Sequence, residues 1–183
     1  MFGRIEGSET VARLMFAIAA LLPASPALAD GRILGSDAAA CISRDGPAIE
    51  VPVTGLKDRT GELKLELYPA TEADFLKDDR DLRAEGKFFR RVNVPTPLSG
   101  AVTLCIRVPQ PGTYALFFTH NRDGKNKFNV WADGAGLPSN RALGRAKPRL
   151  EHARVVVGPS VTRVPIRAQY LRGVIPSFGF VGK

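Results

Sequence analysis

The segment Thr113–His120, TYALFFTH, is apolar on both of the faces that a β-strand presents. Read with a period of two, Tyr114, Leu116, Phe118 and His120 fall on one side, and Ala115, Phe117 and Thr119 on the other. A strand with no polar face belongs in the middle of a sheet. The segment leaves a turn at Pro111-Gly112 and breaks after His120 into a long loop of Gly, Asn, Asp and Lys. That loop carries the only tryptophan of the chain, Trp131.

Most of the remaining chain reads as strands framing this loop. Ala48–Thr54 alternates Ile49, Val51 and Val53 with Glu50, and Pro52 marks it as an edge strand because it removes a ladder donor. Glu62–Tyr68 alternates Leu63, Leu65 and Leu67 with Lys64 and Glu66, and is expected to form a hairpin with the strand before it. Further strands are expected over 87–95, 101–108, 151–157 and 161–170. Thr71 and Asp74 have the spacing of a capping box and predict a short helix. The charged run 77–86 reads as a solvated loop. Together these predict an all-β fold: an antiparallel Greek-key β-sandwich of about seven strands with one long loop and a short helix.

The first 29 residues read as an export signal. Arg4 and Arg13 precede or open a short apolar core, Leu14 to Leu22, and Ala27-Leu28-Ala29 has the small-x-small form of a cleavage site. The core is far shorter than the roughly 20 residues of a membrane span, so no transmembrane segment is expected. The predicted organisation is a signal over 1–29, an extended lead-in over 30–47, a sandwich over 48–172 and a flexible tail over 173–183. The mature chain is expected in the periplasm or secreted. Cys41 and Cys105 are the only cysteines, and an oxidising compartment predicts a disulfide between them.

Charge is uneven. The chain carries +8 overall, yet residues 30–85 hold eight Lys/Arg against thirteen Asp/Glu, and residues 86–183 sixteen against three. The long loop supplies Arg122, Lys125 and Lys127 beside Phe128 and Trp131, with Arg141 and Arg145 just beyond it. Cations beside flat rings suit an anionic glycan or a lipid headgroup of the cell envelope. The alternative is that Trp131 folds under as a core plug and the cations form a solvated face. No aromatic-basic recognition motif for nucleic acid is present, and none is expected as a partner. His120 and His152 fall on separate strands, and with Asp123 or Glu151 and a serine such as Ser139 they would form a triad only by accident of folding. A noncatalytic binding or scaffolding module is therefore expected, with a hydrolase using His120 as the alternative.

The order of several motifs resembles a family of exported bacterial proteins known as domain of unknown function 2141. They are Val53-Thr54-Gly55-Leu56 with Gly61, then Pro111-Gly112-Thr113-Tyr114-Ala115, then His120 and its loop, then Gly136-Leu137-Pro138. The resemblance spans about Ile49 to Tyr170. It implies an exported seven-stranded sandwich of transthyretin-like or carboxypeptidase-regulatory kind, with no established activity. Its oxygen-rich loop implies a possible calcium-stabilised module, for which Asn121, Asp123, Asn129 and Asp133 are the donors here. Asn121 and Asn129 stand where the family has acids, and Arg122, Lys125 and Lys127 surround them. Calcium needs carboxylate charge and six to eight oxygens, so a loop held by Asx-turns with no cofactor is the expected state.

Overall fold

The computed structural model describes residues 1–3, 32–125 and 127–182. The export signal read over 1–29 lies outside them but for its first three residues. The strands, in chain order, are β1 (Ile33–Leu34), β2 (Ala48–Thr54), β3 (Glu62–Pro69), β4 (Arg90–Pro95), β5 (Val102–Arg107) and β6 (Gly112–Asn121). They continue with β7 (Gly134–Gly136), β8 (Arg154–Val157), β9 (Val161–Arg163), β10 (Ile166–Arg167), β11 (Gln169–Arg172) and β12 (Ser177–Phe180). Three short helices complete the set: α1 (Ala38–Ser43), α2 (Asp79–Ala84) and α3 (Leu150–Ala153).

Two sheets face each other, and the all-β sandwich expected from the alternation is the fold. The first runs β1–β5–β2, with β9 and β10 both on the far edge of β2; the second runs β12–β11–β7–β6–β3–β4, with β8 also on β6. Between them Ile49, Val51, Leu104 and Ile106 meet Leu63, Leu65, Leu67, Leu116 and Phe118, all fully buried. The two-sided apolar strand β6 is central, as its composition demands. Its inner residues enter this core, while Ala115 and Phe117 pack outward against a second cluster with Phe75, Leu82 and Leu150.

Several local expectations are corrected. Strands β2 and β3 form no hairpin: β2 pairs with β5, β9 and β10, and β3 with β4 and β6. The connection between them crosses from one sheet to the other, with Gly55 and Gly61 at φ +70° and +68°. Gly61 tolerates no side chain, because a Cβ there would lie 2.1 Å from the carbonyl oxygen of Asn121. Nor is β2 an edge strand. Its parallel partners stop at Glu50 and resume at Val53, so the ladder is interrupted level with Pro52. The same interruption breaks the strand expected over 161–170 at Val164-Pro165.

Thr71 does cap a turn, accepting from the Asp74 amide at 3.2 Å, but Asp74 takes the Thr71 hydroxyl at 2.6 Å instead of reaching the backbone. No helix follows. The helix lies in the charged run instead, where Asp78 caps α2 and Leu82 is its single buried anchor. The strand expected over 151–157 begins with α3, whose Leu150 and Ala153 share one face against the outer cluster. The lead-in is not extended. It contains β1, parallel to β5, and α1, which carries Cys41. The tail, expected to be flexible, folds back so that Ser177–Phe180 pairs antiparallel with β11.

Cys41 and Cys105 are joined, with Cα atoms 6.0 Å apart across a sequence separation of 64. Ala40, Cys41, Ala48 and Cys105 form a small cluster on the outer side of the first sheet, where the alternation of β5 places Cys105. Closing a loop of this length stabilises by about 4 kcal/mol in the chain-entropy model. The double substitution Cys41→Ala with Cys105→Ala should lower the unfolding free energy by about 2–5 kcal/mol in urea titration. A loss under about 1 kcal/mol would show that β1 and α1 hold themselves.

Candidate functional site

The outer face of the second sheet is covered at only one end. There α3 and the segment carrying Phe75 and Leu82 seal the outward side chains of β6. Toward the C-terminal end of β6 the cover stops, leaving a groove of about 620 Å³. Its floor comes from alternate outward residues: Lys64, Glu66 and Tyr68 on β3, and Phe117, Thr119 and Asn121 on β6. One wall is the long loop, through Lys125, Lys127, Phe128, Val130 and Trp131. The opposite wall is built by residues 143–148 and by the tail, which contributes Pro176 and Phe178. Phe128 bridges the walls, its ring centroid 6.5 Å from Phe117 and 6.0 Å from Phe178.

Trp131 is 75 % exposed at the rim. It is not a core plug. Of the seven residues expected to form a ligand surface, Lys125, Lys127, Phe128, Trp131 and Arg145 line this one groove. Arg141 is exposed but outside it. Arg122 is half-buried and committed elsewhere: its guanidinium pairs with Asp58 and donates to the Ala132 carbonyl at 2.7 Å. Burial works to raise the Asp58 carboxyl, but Arg122 and Thr60 outweigh it and hold it well below the usual carboxylate range. Arg122 is a brace. Lys64, Lys127, Arg145 and Lys147 line the groove with no ion pair among the described residues, while Arg91 is matched by Glu66 and Lys125 by Asp123.

The oxygen-rich residues of the loop hold its shape. Asp133 accepts from the amides of Arg122 and Asn129, each at 2.8 Å. Asp123 accepts from the Lys125 amide at 3.0 Å and the Asn129 side chain at 2.8 Å, and Asn129 accepts from the Trp131 amide at 3.1 Å. The bonds to the Lys125 and Trp131 amides are Asx-turn bonds, and with the others they hold the loop around Phe128 and Trp131. The arrangement does not fit a calcium shell, because the oxygens of Asp123, Asn129 and Asp133 are taken up by N–H donors of the loop itself. Among the described residues no group of three or more His, Cys, Asp or Glu is placed to hold a metal. Asn121 differs from the rest: it is 2 % exposed, lines the groove, and its buried Oδ1 has no hydrogen-bond partner among the described residues.

His120 points the other way, into the sandwich, and is fully buried. Its Nε2 lies 2.8 Å from the Thr60 carbonyl and its Nδ1 2.6 Å from the Tyr170 hydroxyl. The carbonyl can only accept, so Nε2 carries the proton and Nδ1 accepts from Tyr170. Tyr170 in turn accepts the Lys57 amide at 3.0 Å, its phenol pushed up to about 12, chiefly by burial. The chain of bonds clamps the crossing 55–61 onto β6. Burial lowers the His120 pKa, against the pull of Thr60 and Asp58, so the folded state favours neutral imidazole. His152 sits on α3 beside Glu151, remote in its element from His120, and the two do not share a site.

The sequence did not reveal that the tail and residues 143–148 form a wall, since neither has a periodic pattern. The alternation that sets Phe117 and Thr119 on one face of the strand was legible.

Fold and site thus define an exposed-groove β-sandwich. The chain belongs to a family described as an uncharacterised protein conserved in bacteria (DUF2141), whose model matches residues 51–165. No curated protein and no solved structure matches it.

Neutral His120 makes stability depend on pH with a defined sign. An unfolded chain takes up a proton near the ordinary value of about 6.5, which the folded site resists. Stability is therefore full above that pH and declines as pH falls through it, by at most about 1.4 kcal/mol per pH unit for one proton. Denaturation between pH 7.5 and 5 should show this slope, and His120→Gln should be less stable at pH 7.5 with a flatter profile. An unchanged slope in the variant would assign the dependence to other groups.

Proposed function

We propose that this chain is a noncatalytic binding module of the cell envelope, and that the groove on the second sheet takes an anionic ligand. One observation carries the reading: Trp131 and Phe128 stand on the wall of a largely apolar groove that is also lined by Lys64, Lys127, Arg145 and Lys147, none of them ion-paired among the described residues. Unpaired cations around apolar surface favour a ligand that brings both negative charge and nonpolar area. The commitment of both His120 nitrogens to structural bonds supports binding over catalysis. The disulfide supports an oxidising, exported location.

The binding should be salt-sensitive. Retention on an anionic matrix should fall steeply above about 0.15 M salt, where the Debye length is about 8 Å. The triple substitution of Lys127, Arg145 and Lys147 with Ser should abolish retention and leave the melting temperature unchanged, since none of the three is tied into the fold. Arg122→Ser should do the reverse, lowering the melting temperature by leaving Asp58 half-buried and unpaired. Full retention by the triple variant would overturn the reading.

A further inference from the structure

The wall opposite the long loop hangs on the tail. Residues 143–148 lie outside every strand and helix. The Leu143 amide donates to the Gln169 side chain at 2.9 Å. Gly144 then exchanges two backbone bonds with Phe178 of β12, at 2.8 and 3.3 Å. Residues 145–148 add no backbone–backbone bond among the described residues. Arg145 and Lys147 are thus carried on a segment that β12 holds in place.

β12 is itself lightly held. All four of its residues are half-buried, and its one strand partner is β11. Two further ties come from side chains: Arg172 donates to the Phe180 carbonyl, and Arg167 to the Gly182 carbonyl at 2.7 Å. Both are exposed, and bonds that water can replace add little net stability. The turn before β12 leaves Val174 and Ile175 exposed, so no packing anchors it.

This strand also props the roof of the groove. The mouth at Trp131 is open, but Phe117 on the floor is only 7 % exposed. Phe128 lies against Phe117, and its other neighbour is the Phe178 ring, 6.0 Å away. The cover over Phe117 therefore ends on a four-residue strand with few ties.

Resting on the groove being the binding site, we propose that β12 is a latch. Released from β11, it withdraws Phe178 from Phe128 and lets go of the 143–148 wall, and the groove opens inward along Phe117. Its return closes both over a bound ligand.

Hydrogen exchange on the unaltered full chain tests the latch without a ligand. The Phe178 and Gly144 amides should exchange together, about a hundredfold faster than the Phe118 amide at the centre of the sheet. Two variants then test the gate. Because the Phe178 amide faces Gly144, the Gly179 amide faces β11. Gly179→Pro removes that donor without touching a groove-lining residue, and should loosen the latch. Arg172 and Ser177 are directly opposed, so Arg172→Cys with Ser177→Cys should cross-link the hairpin across a Cα separation of about 5.5 Å. Arg172→Ser controls for the lost guanidinium. The probe is anilinonaphthalene sulfonate, an anionic fluorophore, followed by stopped flow. The cross-link should slow its entry and exit by one common factor, about tenfold or more, and leave the equilibrium affinity unchanged. Gly179→Pro should speed both. A wall that only shapes the groove would change the affinity instead of both rates alike. Exchange at Phe178 and Gly144 as slow as at Phe118, or probe rates indifferent to the cross-link, overturns the latch and leaves the groove as the site. Absence of any probe binding overturns the groove as the site, and the gate with it.

Discussion

The burial of β6 on both faces governs the rest of the molecule. A strand carrying Leu116 and Phe118 inward and Ala115 and Phe117 outward needs two independent covers. The inner cover is the first sheet, which is a general solution for a sandwich. The outer cover is assembled from pieces with little intrinsic structure: a six-residue helix, a four-residue helix and a capped turn. Such pieces are held by the apolar side chains they set down and not by their own hydrogen bonds. They end where the outward residues turn from Phe117 to Thr119 and Asn121. The groove begins at that change of polarity.

Charge in this chain divides by partner. Arg90, Arg91 and Arg122 lie on or beside strands and meet Asp37, Glu66 and Asp58. Burial tends to raise the Asp37 carboxyl, yet the Arg90 side chain and the Arg107 amide keep it lowered, so this pair pins the first turn of the lead-in to the sheets. Lys64 of β3, Lys127 of the loop, and Arg145 and Lys147 line one groove with no ion pair among the described residues. Three cations of the second half thus meet in one groove, which a sum over the sequence does not reveal.

The strands were legible because alternation is a local signal; the bounds of β2 match the segment read from Ala48 to Thr54. Which strands pair was not, since that depends on the crossing at 55–61, whose clamp joins Thr60 and Lys57 to His120 and Tyr170 far along the chain. Five of the seven residues read as a ligand surface do line one groove. Arg122 was misread because Asp58, its partner, lies 64 residues earlier. The wall formed by Pro176 and Phe178 had no signal at all: a Gly- and Pro-broken apolar tail acquires its meaning only from the edge of β11.

The cross-link between α1 and β5 also sets how the chain would bear tension. A pull applied upstream of Cys41 and downstream of Cys105 passes through the sulfur atoms and leaves the 64-residue span between them out of the load path. β2, β3, α2 and β4 all belong to that span, so they stay slack while the rest of each sheet is drawn out. Reduction would restore roughly 200 Å of extensible contour, at about 3.3–3.6 Å per residue. Under such a load the bond acts as a strain limiter for β3, one of the two strands that floor the groove.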